Sequence, residues 1–153
     1  MTALINCNMT VLPDWIDYNG HMTESRYLFA TSETVDVFLR AIGSDLAYVQ
    51  TGFSYYTAET FIQHLGEAKR GDQLIGTLQI LMADAKRVQV FITLSCAGKP
   101  LATIEQMLLH VDAGQGRVVA APDHILARLL PLATAHAHLP RPVTAGRYVG
   151  QRG

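Results

Sequence analysis

A change of hydrophobic period about a third of the way along the chain limits the folds open to it. From Thr23 onward, apolar residues recur at the 3.6-residue spacing of an α-helix. Tyr27, Leu28, Thr31, Val35, Phe38, Leu39 and Ile42 fall on one side, while Arg26, Glu33, Asp36 and Arg40 decorate the rest. Thr23 is placed to cap this helix, Glu24 enters its first turn and Gly43 supplies the stop, so the pattern predicts a helix over 24–42. From Phe53 to His110 the period drops to two. Four strand-like runs follow, separated by turn signals at EAKRGD, ADAK and AGKP, and the later breaks are short enough for antiparallel hairpins. A long helix with one apolar face must bury that face against the sheet beside it. The expectation is an α+β protein with an antiparallel sheet wrapped around one helix.

The remaining segments fit this frame. Residues 3–12, ALINCNMTVL, read as a first strand stopped by Pro13, which makes five strands in all. SDLAYVQTG reads as one extra turn of helix before Gly52, and LATIEQMLLHVD closes the sheet ahead of a DAGQG turn. Pro122 and Asp123 open a C-terminal helix, roughly 123–135, with Leu126, Leu129, Leu130 and Leu132 as its apolar side. Pro131 is expected to kink or end it. The tail from His136 is rich in Pro, Gly and Arg and is expected to be irregular and partly mobile. A chain of 153 residues suits a single domain, 1–153, with its core in 4–112 and the helix and tail in 122–153.

Charge and cysteine use narrow the partners. Twelve Lys and Arg against thirteen Asp and Glu, with no basic block, leave no footprint for nucleic acid or an anionic membrane, so a small molecule is the expected partner. Cys7 and Cys96 stand apart from any C-x-x-C spacing and read as reduced thiols. The first residues lack a basic region and a cleavage site, and no apolar run approaches the roughly 20 residues that span a bilayer. A cytoplasmic protein with no metal and no cofactor is expected.

Chemistry concentrates in DYNGHM, 17–22. Asp17, Asn19 and His21 sit at alternate positions, with Gly20 where the backbone must bend and a helix beginning just beyond. Unpaired N–H groups and the positive end of the helix dipole favour a negative oxygen there, so the backbone of His21, Met22 and Thr23 is a candidate oxyanion site. The plain readings are a turn-forming Asp and a buried, hydrogen-bonded His. Acyl transfer requires an acid or base beside an anion site, which is the sharper reading. His64, His110 and His124 read as structural, and His136 and His138 lack a third metal ligand nearby.

Together with this order of elements, V-L-P-x-W-x-D-Y-N-G-H-M before the helix and H-L-x-E-A-x-x-G-D after it resemble the hotdog-fold thioesterases, over about residues 4–112. The D-x-N-x-H spacing is similar to that of plant acyl-ACP thioesterases. That resemblance implies catalytic roles for Asp17, Asn19 and His21, and places Glu67 near a further acidic residue of those enzymes. Where the family often has Asn-Asn after this motif, the present chain has Thr23 and Glu24. DYNGHMTESRYL, SYYTAET and HLGEAKRGD also look like the betainyl-CoA thioesterases of carnitine degradation, which occur as well fused to some L-carnitine dehydrogenases. The resemblance implies hydrolysis of a short acyl-CoA, a homodimer or dimer of dimers joined edge to edge, and clefts at the interface where Glu67 acts on the partner subunit's Asp17.

Two substrate contacts follow as expectations. Lys86 and Arg87 are the candidate holders of the CoA phosphates, with Lys69 and Arg70 as alternatives and plain solubility as the ordinary reading. Trp15, Tyr18, Tyr55 and Tyr56 with Glu59 offer aromatic faces and a carboxylate for a trimethylammonium group, core packing being the default for each ring. The rival functions are another short acyl-CoA or acyl-ACP thioesterase, a hotdog dehydratase, and a non-catalytic acyl-thioester or betaine binder. Whether Asp17 attacks the thioester or activates water stays open.

Overall fold

The structure, a computed structural model, describes residues 3–151. In chain order it contains β1 (Ile5–Thr10), a 3-10 turn at Pro13–Trp15, α1 (Glu24–Ala41), the single turn α2 (Leu46–Val49), β2 (Phe53–His64), β3 (Gln73–Ala83), β4 (Arg87–Cys96), β5 (Lys99–Asp112), β6 (Arg117–Val118) and α3 (Asp123–Ala137). Every strand pairing is antiparallel, in the order β1-β3-β4-β5-β2, and the five strands expected from the sequence are all present. The addition is β6, two residues long. After the DAGQG turn, in which the Asp112 carboxylate accepts from the Gln115 N–H at 3.0 Å, the chain doubles back and pairs Val118 with Val111.

Register shifts between Thr57 and Glu59 in β2 and between Ile80 and Met82 in β3 add twist, and the sheet curls around α1. The buried face of α1 is Tyr27, Ala30, Thr31, Thr34, Val35 and Phe38. It differs from the periodic reading at Leu28, which is 43% exposed, and at Ala30 and Thr34, which are fully buried. Small residues explain the shift. Thr34 stands directly against Gly76 of β3, where any Cβ would strike the Thr34 hydroxyl, so helix and sheet approach closely only because both positions are small. The Thr34 hydroxyl donates back to the Ala30 carbonyl at 2.9 Å, so this buried hydroxyl has a partner within the helix. Phe38, Ile42, Leu78, Ile92 and Ile104 close the core around this contact.

α3 corrects two expectations. It runs through Pro131 to Ala137 instead of ending at or before the proline. The carbonyl that Pro131 leaves without a donor belongs to Ala127, which is exposed and so meets water. The anchoring residues are Ile125 and Leu129, both fully buried, while Leu130 is 40% exposed. His136, expected in the tail, is instead the last buried residue of α3. Its Nδ1 accepts the Ile80 backbone N–H at 2.9 Å, next to the β3 register shift that frees this N–H from the ladder. Beyond it the chain is irregular, and is tied across the sheet by Gln79 Nε2 donating to the Pro140 carbonyl (3.2 Å) and the Gly146 N–H donating to Glu105 (2.7 Å).

Burial holds the His136 imidazole below its ordinary pKa, because the charged ring would lose its hydration. The unfolded chain then binds a proton at higher pH than the native one. Stability should be at its full value above the ordinary histidine range near pH 6.5 and fall as pH drops below it. Thermal melts at pH 7.5 and 5.5 test this: His136→Leu should flatten that decline, and at pH 7.5 should cost about 1 to 3 kcal/mol by leaving the Ile80 N–H without an acceptor.

Candidate active site

The DYNGHM turn is built by its own backbone. Ile16 and Met22 form an isolated antiparallel bridge, the Asp17 N–H donates to the His21 carbonyl (3.0 Å) and the Gly20 N–H to the Asp17 carbonyl (3.0 Å). Gly20 has φ +79, a left-handed conformation that glycine adopts without strain. The Asn19 N–H donates to Asp17 Oδ1 at 2.8 Å, which fixes one carboxylate oxygen and leaves Oδ2 for other contacts.

The turn is then pinned to two other elements. The Met22 N–H donates to the Ala68 carbonyl and the Thr23 N–H to the Trp15 carbonyl, both at 2.8 Å. This corrects the expected oxyanion site, since two of its three backbone donors are committed to the fold. The N–H of His21 remains without a partner among the described residues, and so does that of Glu24, the first residue of α1. Thr23 takes the capping position with extended backbone, yet its side chain makes no capping bond, so the helix N-terminus stays open to an anion.

An open cleft of about 240 Å³ collects Asp17, Asn19, His21, Glu24, Tyr27, His64 and Glu67. The structure thus brings together all four residues expected to be catalytic. His21 Nε2 lies 3.1 Å from Glu67 Oε2, the shortest contact between side chains in the cleft. Two residues escaped the sequence reading. Tyr27, taken as core, is buried with its hydroxyl at the cleft, donating to the Gly66 carbonyl and accepting from the Ala68 N–H, each at 3.3 Å. Burial pushes its phenol pKa up, so it stays protonated. His64, taken as structural, packs edge-on against Tyr27 at 5.0 Å and lies 3.9 Å from Glu24. The signal was the His at the head of H-L-x-E-A, three residues before Glu67.

The expected aromatic cage is not assembled within the protomer. Tyr55 and Tyr56 are neighbours on a strand and so point to opposite faces: Tyr55 is buried against His110 and Tyr56 is half exposed outside. Glu59 lies on an outer groove with Glu105 and Arg147, Tyr18 is 98% exposed, and Trp15 already carries the Arg26 guanidinium over its ring at 5.6 Å. Lys86 and Arg87 occupy the β3–β4 turn, across the length of the sheet from Asp17 in the same chain. Arg87 is held there by two bonds to Asp84 Oδ2 (2.9 and 2.7 Å), and the Lys86 N–H, with Arg87 second to it, keeps the Asp84 carboxyl below its usual pKa. Lys69 and Arg70 share the loop of Glu67 and are exposed. Among the described residues there is no group of three or more His, Cys, Asp or Glu that could hold a metal ion, and no helix is long and apolar enough to cross a membrane.

A curled antiparallel sheet around a central helix, with an acidic turn at the helix N-terminus, is the hotdog architecture. Residues 11–129 match the thioesterase-like superfamily, and the chain belongs to that family. It is 38% identical over 143 residues to the betainyl-CoA thioesterase of Pseudomonas aeruginosa, covering 92% of this chain and 90% of that protein. It is 53% identical over 140 residues to the L-carnitine dehydrogenase/betainyl-CoA thioesterase of Rhizobium meliloti, covering 90% of this chain and 28% of the relative. The chain therefore spans little more than a quarter of that longer protein. A Staphylococcus aureus protein solved in complex with CoA superposes with a TM-score of 0.91 at 25% identity, covering 99% of this chain and 98% of that one.

The His21–Glu67 contact has a measurable consequence. Glu67 is mostly solvent-exposed, so Glu67→Gln should leave the melting temperature nearly unchanged. An exposed pair of this kind adds at most about 1 kcal/mol to stability, whereas misplacing a group at the reacting centre costs up to about a hundredfold in rate, so any thioester hydrolysis should fall about ten- to a hundredfold. Steady-state kinetics beside a thermal melt checks both halves.

Proposed function

We propose that the protein hydrolyses a short, polar acyl-CoA, betainyl-CoA first, to the free acid and CoA. The observation that carries this is the convergence of Asp17, His21 and Glu67 on one cleft beside two unpartnered backbone N–H groups, in a member of the thioesterase-like superfamily. The names of the two betainyl-CoA thioesterase relatives support the choice of acyl group. They also support a place in carnitine breakdown. Two free cysteines fit a reducing cytoplasm.

In this reading the thioester carbonyl oxygen lies against the N–H groups of His21 and Glu24, where the helix end stabilises the charge that develops on it. Asp17 Oδ2 either attacks the carbonyl carbon, giving an acyl-enzyme that water then cleaves, or takes a proton from the attacking water. Asn19, whose backbone already holds Asp17, presents its side-chain amide to the cleft as an orienting group. The departing CoA thiolate takes up the proton that Asp17 removed from water, or a solvent proton where Asp17 attacked directly, while the imidazole of His21, held by Glu67 at 3.1 Å, orients the reacting groups. No cofactor is needed for any of these steps.

The cleft is open, with Glu67 mostly exposed, and β2 is an edge strand of twelve residues that pairs with β5 alone among the described residues. An unpaired edge of that length favours pairing with a second copy. We therefore read the protein as a homodimer, or a dimer of dimers, with the cleft at or near the interface and with Lys86 or Arg87 of the partner subunit within reach of the CoA phosphates.

Two outcomes follow. Asp17→Asn preserves the Oδ1 acceptor for the Asn19 N–H and should fold normally, yet lose at least about a hundredfold in turnover; turnover within a few-fold of wild type would sink the assignment. Sedimentation at micromolar concentration should show a dimer or tetramer. A monomer that still hydrolyses substrate would rule out a shared site.

A further inference from the structure

The rings that the sequence offered for a quaternary ammonium are scattered, but another set is gathered. Beyond the Phe53 end of β2, a cavity of about 370 Å³ is lined by Tyr48, Thr51, Phe53, His110, Pro122 and His124. The Phe53 and His110 rings are stacked, 6° from parallel with centroids 6.1 Å apart. Tyr48 lies 6.1 Å from His110, and His124 meets Tyr48 edge-on at 5.7 Å. No Lys, Arg, Asp or Glu lines the space.

His110 fixes the character of these walls. It is fully buried, with Nδ1 2.9 Å from the Val119 carbonyl and Nε2 2.7 Å from the Tyr48 hydroxyl. A carbonyl oxygen can only accept, so Nδ1 carries a proton, and Nε2 is paired with the Tyr48 hydroxyl, which leaves neither ring nitrogen free. The result is a cavity walled by aromatic rings, with no Lys, Arg, Asp or Glu among its lining residues. Such walls attract a large cation that has no N–H to donate, and they give an ordinary ammonium no carboxylate to pair with.

The place of the cavity gives it a substrate. Within one chain it lies at the opposite end of β2 from His64, roughly 40 Å along a twelve-residue strand. Two β2 edges paired antiparallel over their whole length set Phe53 against His64 of the partner subunit, because they are the first and last residues of the same strand. His64 lines the Asp17 cleft. The cavity of one protomer then adjoins the reactive cleft of the other.

We propose that the Tyr48, Phe53, His110 and His124 cavity receives the trimethylammonium head of a betaine-type acyl thioester whose carbonyl is attacked at the Asp17 cleft of the second protomer. This rests on the thioesterase reading and on edge-to-edge dimers, and it adds the residues that choose the acyl group.

Phe53 is partly exposed, so Phe53→Leu removes a ring from the cavity without emptying the core. Wild type should bind tetramethylammonium in ligand-observed NMR, and Phe53→Leu should weaken that binding about tenfold, within the two- to thirtyfold expected for one aromatic face. Binding absent from wild type, or unchanged in the variant, overturns the cavity assignment whatever the enzyme assay reads. In kinetics, Phe53→Leu should lower kcat/KM about tenfold for betainyl-CoA and less than about twofold for 3,3-dimethylbutyryl-CoA, in which carbon replaces the charged nitrogen. Equal losses on both substrates refute the proposal and leave the thioesterase reading standing. Wild type inert toward every acyl-CoA refutes the thioesterase reading, while the tetramethylammonium titration still decides the cavity.

The arrangement across two chains is tested by a heterodimer of Asp17→Asn and Phe53→Leu subunits, purified through two different tags. It holds one site with both an intact Asp17 and an intact Phe53 if the cavity serves the opposite protomer, and about half of the wild-type kcat/KM for betainyl-CoA should return. A rate no higher than half that of the Phe53→Leu homodimer would place the cavity and Asp17 in the same chain's site and overturn the shared arrangement.

Discussion

The hydrogen bond from the Met22 N–H to the Ala68 carbonyl ties the reactive turn to the loop that follows β2. Asp17, Asn19 and His21 lie on one side of it in sequence and Glu67 immediately on the other. Without that bond the carboxylate of Glu67, on an exposed loop, would have no fixed relation to His21. Tyr27 reinforces the same junction, because its buried hydroxyl accepts from the Ala68 N–H while donating to Gly66. Both ends of the loop segment are thereby held from α1, whose own seat on the sheet depends on the Thr34–Gly76 contact. Close packing in the core and alignment in the cleft are thus parts of one chain of contacts.

This arrangement explains which parts were legible in the sequence. Period changes placed every long element to within a few residues, since α1 and the hairpins are stabilised by local pattern and turn chemistry. Asp17, Asn19 and His21 were legible because one turn holds them together, and Glu67 through resemblance. Tyr27 and His64 were hidden for a different reason: each satisfies the pattern of its own element, and only tertiary packing turns them toward the cleft. The oxyanion donors were misassigned at Met22 and Thr23 because sequence shows which N–H groups a helix start leaves over, but not which distant carbonyls claim them.

Proline and small residues account for the other differences. Pro131 was read as a stop, yet a helix continues through proline when the orphaned carbonyl faces water and the flanking turns are anchored, here by Ile125, Leu129 and His136. Leu28 was read as core by hydrophobicity, but the centre of the α1 face is set by where the backbone can approach β3, and that favours Ala30 and Thr34. His136 was read as part of an irregular tail. Its burial follows from the β3 register shift, which frees the Ile80 N–H and so calls for an acceptor that no local pattern announces.

The separation of aromatic groups follows from the same strand geometry. Alternation sends Tyr55 inward to His110 and Tyr56 outward, so neighbouring rings on β2 cannot face one ligand. Rings from different elements can: Tyr48 from α2, Phe53 from the head of β2, His110 from β5 and His124 from α3 converge because α2 and the start of α3 close over the same end of the sheet. That end is remote from Asp17 along the chain. Pairing of β2 with a second copy, as proposed, would reverse the distance, because an antiparallel edge brings the far end of one strand to the near end of its copy. With an unpaired edge strand, the DYNGHM turn at one end and an aromatic cavity at the other, the sheet would bring these two parts together only across the proposed pair of protomers.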